Sequence, residues 1–357
     1  MNQITTPTPT KRIEYIDALR GFAMILVVFN HVLLFSLKIY DSLINDVIIS
    51  FIMPLFFYIS GFVEYKKNAV WDRKAWGSMT KAKVQSLLIP TLILGLTYTY
   101  AYRHLGFSSF VTDIYKSGYW FTITLFEMFV ILYMVNVLVY NPKQARFKNR
   151  LALVLLAGVL FFAVFICKAL PIIGVWCDTL GLSQTFRYFI YFIFGYVCSM
   201  NKDKFLKVLD NRYFTLVIII LYVFAFYANR VYIYPNIDMN IICRMGYHVI
   251  SVLIAALGLL IVYNTFKVYQ DTFTTDKKVG RALQYIGKRT LDIYLLHYFF
   301  LPYIPQLGKL LSDDRNAVLE LAIVGGISLL VIGICLVVSN ILRTSPVLAK
   351  YLFGTKK

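Results

Sequence analysis

The chain predicts an all-α integral membrane protein: a bundle of about ten transmembrane helices with both termini in the cytoplasm. Three observations carry that prediction. Of the 357 residues, 59% are hydrophobic and 17% aromatic, more apolar surface than a soluble core of this length hides. Hydrophobic runs of about 17 to 25 residues, each long enough to span a bilayer, recur along the whole chain. The positive charge is strongly one-sided about those runs.

Ten spans follow: 17–38, 44–64, 84–103, 118–140, 151–168, 186–200, 213–233, 244–266, 283–303 and 317–342. They are continuously apolar rather than alternating, which excludes a β-barrel. Backbone groups in hydrocarbon must pair internally, so the spans are helices. The connecting segments, including 65–83 at the inner side, are expected to be loops of at most about 20 residues. A single domain over 1–357 is therefore expected, with 1–12, rich in Thr-Pro, disordered. The first span is too long for a signal core and carries no small-residue cleavage pattern, so it reads as an anchor.

The formal charge is +18. Of the 36 Lys and Arg, nine (Lys38, Arg103, Lys116, Lys168, Arg187, Arg230, Arg244, Lys309 and Arg315) fall on the outer side if the N-terminus is inside. The other 27 fall on the inner side. The basic charge therefore sets orientation and is not a nucleic-acid footprint. The five cysteines have no metal-ligand spacing.

Ionisable groups inside spans are costly and are functional suspects by default. Arg20 and His31 bracket ten residues without another charge, which puts His31 roughly 16 Å above Arg20, near the midplane. Asp17 lies one turn before Arg20, on the same face. A histidine hydrogen-bonded inside a bundle is the structural alternative. The second span ends Met53-Pro54-Leu55-Phe56-Phe57-Tyr58-Ile59-Ser60-Gly61, where Pro54 and Gly61 predict a loosened helix or, at Gly61, close packing.

The fourth span opens on Gly118-Tyr119-Trp120-Phe121, an interfacial aromatic belt. Glu127 follows about 10 Å deeper, at a depth matching His31, and is expected to orient the imidazole. The ninth span holds Arg289, Asp292 and, about 12 Å further on, His297. Arg103, His104, Asp178, Arg187, Arg244 and His248 collect at outer helix ends and predict a polar mouth or headgroup contacts. No G-x-x-x-x-G-K-[ST], G-x-S-x-G or H-E-x-x-H occurs. A basic inner edge below a deep histidine suits an anionic cytoplasmic donor such as coenzyme A.

Arg20-Gly21 through His31 resembles the R-x10-H signature of the membrane acyltransferase 3 family. Met53 to Phe62 is similar to that family's second-helix FFxxSGF block. Lys81-Ala82-Lys83 through Pro90 resembles the basic entry to its third helix, and Tyr119-Trp120-Phe121 with Leu125-Phe126 its WFL…LF block. Tyr285 to His297 resembles the late G…TLxIYLLH block. These blocks stand in order over residues 13 to 300.

The resemblance implies transfer of an acyl group, usually acetyl, from acyl-CoA to a hydroxyl of an envelope glycan, free or lipid-linked. It implies His31 as base or acyl relay and Arg20 as a donor contact. Asp17, Lys81, Lys83 and Arg289 join Arg20 as expected donor-binding residues, and Ser60 is the expected oxyanion donor. Trp120, Arg187, Arg244 and His297 are expected along the acceptor path. Acyl-CoA is a co-substrate, no bound cofactor or metal is expected, and the location is the cytoplasmic membrane of a bacterium. The rival expectation is a polytopic glycan transporter or flippase, although residues 1–180 and 181–357 show no convincing internal symmetry.

Overall fold

A computed structural model describes residues 13–66, 71–139, 146–236, 241–314 and 316–355. Those residues form helices and short connections with no β-strand among them. The expected N-terminal disorder lies outside the described residues. In chain order the helices are α1 (Glu14–His31), α2 (Leu43–Glu64), α3 (Arg73–Lys83), α4 (Ile89–Thr97), α5 (Phe107–Thr112), α6 (Trp120–Val139), α7 (Arg146–Ala169), α8 (Pro171–Leu180) and α9 (Leu182–Met200). Then come α10 (Lys202–Leu209), α11 (Arg212–Ala228), α12 (Ile241–Val268), α13 (Lys278–Lys288), α14 (Thr290–Phe300), α15 (Pro305–Asp314), α16 (Ala317–Leu342) and α17 (Pro346–Phe353).

Among the described residues, seven helices are long and apolar enough to cross a membrane: Glu14–Leu37, Leu43–Glu64, Arg73–Tyr102, Trp120–Leu138, Arg212–Ile233, Cys243–Val268 and Ala317–Leu342. They coincide with the first four, the seventh, the eighth and the tenth predicted spans. This is the architecture of a multi-pass membrane protein. The remaining three differ in instructive ways. The fifth lies within α7, whose apolar stretch is the shorter Ala152–Ala163. The sixth lies in α9, where Gln184, Arg187 and three tyrosines dilute an otherwise apolar helix. The ninth is broken at Arg289, whose backbone leaves the helical region between α13 and α14.

Two expected irregularities are also revised. The third crossing starts not at residue 84 but at Arg73, within the segment expected to be a loop, because Asp72 caps it by accepting from the Ala75 N–H. Pro54 sits inside α2, which runs unbroken past it.

Small residues set the closest helix pairs. A Cβ on Gly61 of α2 would overlap the Phe192 carbonyl of α9, and one on Gly195 would overlap the Tyr58 carbonyl in return. Gly21 of α1 and Gly287 of α13 make the same reciprocal contact through the carbonyls of Leu283 and Asp17. Where lipid solvates side chains as well as protein does, such backbone approach is what holds helices together. The α1–α13 and α2–α9 pairs frame a central space, with α6 and α14 beside it.

Four turns widen to π geometry, at Val32–Leu37, Val84–Leu88, Tyr98–Tyr102 and Asn229–Ile233. The first follows His31 directly and ends at Lys38 in a left-handed conformation. α2 begins five residues later, so its N-terminus shares the His31 end of the bundle.

Candidate active site

Arg20 and His31, eleven residues apart on α1, line one cavity of about 370 Å3. Met53, Phe56 and Ser60 of α2, the N-terminal turns of α6 from Trp120, and Thr290, Leu291 and Tyr294 of α14 complete much of its wall. Four residues expected from sequence (Arg20, His31, Ser60 and Trp120) thus face a common space.

His31 is held from α14. Its Nδ1 lies 2.7 Å from Nε2 of His297, with the two ring planes 5° apart. His297 is fully buried, and its Nδ1 lies 3.0 Å from the Ile293 carbonyl oxygen. A carbonyl only accepts, so His297 Nδ1 carries a proton and donates it there. Neutral His297 then presents a lone pair at Nε2, and His31 must donate its Nδ1–H to that lone pair. The lone pair of His31 is left on Nε2, 3.4 Å from the Tyr298 hydroxyl, whose single proton has this nitrogen and the Gly118 carbonyl as alternative acceptors. That chain of bonds fixes a base-competent tautomer.

The loop before α6 braces the same corner. Lys116, Ser117 and Gly118 all have positive φ, at 48°, 53° and 101°. Two successive non-glycine residues in this region are strained and persist only where neighbours over-determine them. Those neighbours are present. The Lys116 ammonium donates to the carbonyls of Val111, Asp113 and Asp178 at 2.8, 2.9 and 3.0 Å, and the Ser117 N–H donates to the Asp113 carboxylate at 2.8 Å. Burial lowers the pKa of Lys116, which Asp113, Glu127 and Asp178 partly offset. The Gly118 carbonyl accepts from the hydroxyls of Tyr294, at 2.8 Å, and Tyr298, at 3.3 Å. A Cβ on Gly118 would overlap the Tyr298 ring.

The other expected residues, and Ser60 and Trp120 of the cavity wall, have partners of their own. Glu127 accepts from the Thr185 hydroxyl of α9, while the imidazole it was expected to orient is bonded to His297. His297, expected along the acceptor path, is instead the residue behind His31. Ser60 donates to the Phe56 carbonyl at 2.8 Å. Asp17 is buried and lies 4.0 Å from Arg20. Lys83 pairs with Glu64 at 3.0 Å and sits 3.3 Å from the Phe129 ring centre, whereas Lys81 is exposed. Trp120 stacks on Tyr188, with ring centres 5.6 Å apart. Arg187 lines a second, neighbouring cavity, and Arg244 is exposed in the first turn of α12.

Sequence reasoning missed Arg343. Its guanidinium makes two 2.7 Å bonds to the buried Asp292 carboxylate, which also takes Arg289 at 3.3 Å and the Ser339 hydroxyl. A buried carboxylate needs such partners, and the lone Arg capping the C-terminus of a long apolar helix was the available signal.

A histidine pair at one end of a cavity, His297 buried and His31 partly so, with an arginine at the other end, can move a proton beside an anionic group. The acyltransferase 3 model, an acyltransferase domain, matches residues 13–339, and the chain belongs to that family. The chain is also similar to the "Probable poly-beta-1,6-N-acetyl-D-glucosamine export protein" of Staphylococcus aureus strains MSSA476 and N315. Each is 24% identical over 271 residues, covering 73% of this chain and 71% of the relative. The corresponding protein of strain MRSA252 is 23% identical over the same length. No solved structure matches.

Proposed function

We propose that the protein is an O-acyltransferase of the bacterial cytoplasmic membrane. It moves an acyl group, acetyl foremost, from cytoplasmic acyl-CoA to a hydroxyl of an envelope or extracellular polysaccharide, free or lipid-linked. The observation that carries this reading is His31, its Nε2 lone pair left free by His297, in a cavity that Arg20 shares. Family membership supports the acyl chemistry, and the glycan in the relatives' printed name supports a carbohydrate acceptor.

In this reading α7, α9 and the α13–α14 pair add three crossings to the seven long helices. The charge asymmetry sets both termini in the cytoplasm. Arg20, steadied by Asp17, takes the phosphates of the donor at the inner edge, with Lys81 and Arg289 adding positive charge there. Lys83 acts through its pair with Glu64. The thioester lies toward His31.

The acceptor hydroxyl gives its proton to His31 Nε2 as its oxygen bonds to the thioester carbonyl carbon. The tetrahedral intermediate collapses with loss of the C–S bond, and the CoA thiolate recovers the proton from His31. Ser60, once rotated from the Phe56 carbonyl, donates to the developing oxyanion. In a relay version, Nε2 attacks the thioester carbonyl, the C–S bond breaks to release CoA thiolate, and the acceptor hydroxyl then takes the acyl group from Nε2 as its proton passes to the thiolate. The orienting role expected of Glu127 passes to His297, and Trp120 and Arg187 border the acceptor path.

Membranes containing the wild type should transfer label from acetyl-CoA to glycan, and His31→Ala should abolish that transfer without lowering expression. Full activity in His31→Ala would sink the assignment. The word "export" in the relatives' name favours a second reading, in which the same cavities form a glycan path. Glycan movement that ignores acyl-CoA, with no label transferred, would select it.

A further inference from the structure

A second cavity, of about 750 Å3, adjoins the first, and Ile49 and Tyr188 line both. It lies between the N-terminal halves of α2, α9 and α12 and the C-terminal end of α11, at the His31 end of the bundle. Its size is that of a pocket that buries most of a ligand, and its lining is mixed, with Ile49, Pro54, Val252, Ile254 and Ala255 as its aliphatic part. Tyr40, Tyr188, Tyr191, Phe226, Tyr234 and Tyr247 contribute aromatic rings, while Asp41, Asp46, Arg187 and Arg230 contribute charges.

The charges balance, two carboxylates against two guanidiniums. Arg230 is paired with Asp41, at 3.4 Å, and with Asp46. Asn229 also borders the cavity, and its side-chain oxygen is buried without a protein donor. An acyl tail here would lie against four charged side chains for no return, and a polyanion, while gaining Arg187, would meet the carboxylates of Asp41 and Asp46. Aromatic faces beside paired charges and an idle amide oxygen fit a ligand with apolar C–H faces, hydroxyl or amide donors, and no net charge. A chain of neutral sugars has those properties.

We propose that this cavity binds an uncharged oligosaccharide stretch of the acceptor, with Tyr188 as the wall between the bound sugar and His31. Tyr188 is clamped for that role. It stacks on Trp120 and Phe57, with ring centres 5.6 and 5.2 Å away and interplanar angles of 27° and 29°. The proposal rests on the acceptor being a glycan.

The full chain in lipid nanodiscs is titrated calorimetrically with a short β-1,6-linked N-acetylglucosamine oligomer and with an oligogalacturonate of equal length. The neutral oligomer should bind, and the anionic one should bind more weakly by about tenfold or more. Tyr247→Ala and Phe226→Ala should each weaken neutral binding roughly tenfold, whereas Tyr247→Phe, which keeps the ring, should bind as the wild type does. Thermal melting checks that each variant folds.

Should the alanine variants melt early, photo-crosslinking a diazirine-bearing neutral oligomer to the wild type decides the matter: adducts on the Tyr234 and Tyr247 segments uphold the site. The proposal is overturned by adducts elsewhere, by equal binding of the anionic oligomer, by no binding of the neutral one, or by unchanged binding in folded alanine variants. His31→Ala separates this claim from the catalytic one, since it should lose transfer and keep oligosaccharide binding. Transfer surviving in His31→Ala would overturn the catalytic reading and leave the binding result standing.

Discussion

Neutral imidazole exists in two tautomers, and a base that must work at Nε2 needs its proton parked on Nδ1. His297 does the parking for His31 through one 2.7 Å bond, and is itself fixed by the Ile293 carbonyl. In the proposed mechanism His297 is a positioning residue. His297→Ala should lower kcat by roughly 10²-fold with the donor KM little changed. His297→Gln should recover part of the loss, because its amide oxygen can accept the Nδ1–H. A steady-state comparison with melting curves checks this: equal loss in both variants, tracking stability, would make His297 merely structural. Depth along a helix was legible in the sequence, so Arg20 and His31 could be read as the two ends of one site. The direction in which a side chain points was not. Glu127, expected at the depth of His31, instead accepts from Thr185 of α9, and the partner His297 lies 266 residues away in the chain, beyond any local pattern.

Helix pairs in this bundle meet backbone to backbone. Gly61 and Gly195 let α2 and α9 touch so closely that neither tolerates a Cβ without movement. Gly61→Ala should cost about 1–3 kcal/mol by overpacking, read as an earlier melting transition in detergent. Gly333→Ala, on the open side of α16 with nothing within 4 Å of its Cβ, should leave melting unchanged or raise it slightly, as alanine favours the helix. An equal effect at both positions would argue against close packing as the source of the α2–α9 contact. Hydropathy resolved six of the seven long crossings well because they are strongly apolar runs, and missed the start of the third because it begins in the basic stretch from Arg73. It did not show the break inside 283–303, where α13 is amphipathic and packed on α1 while α14 is apolar. The break between them is a backbone event at Arg289, pinned by Asp292, which a hydropathy window averages away.

The basic charge of the chain is organised about the bundle, and that organisation predicts which loops face which compartment. Single cysteines placed in a cysteine-free background test it. Tyr40→Cys, at an exposed link between α1 and α2, should react with an impermeant maleimide in intact cells. Lys66→Cys, exposed just past α2, should react only after the membrane is opened. The reverse pattern would invert the orientation and take the donor side of the proposal with it. The architecture, all helical and multi-pass, was legible from composition because lipid imposes one solution on the backbone. The two adjoining cavities were not, since they arise from which helices are neighbours.

The wide turn after His31 has a further consequence. A π-turn is in effect one residue inserted into an α-helix, and this one falls after the histidine. Deleting a residue within Val32–Leu37 would let the helix rewind and swing everything downstream, including Tyr40 and Asp41, about the axis. The turn is tied on both sides: its Phe35 ring lies 5.4 Å from that of His31, and its Ser36 carbonyl accepts from the Ile304 N–H at 2.9 Å, so its length couples the link to α2 with the setting of the histidine pair.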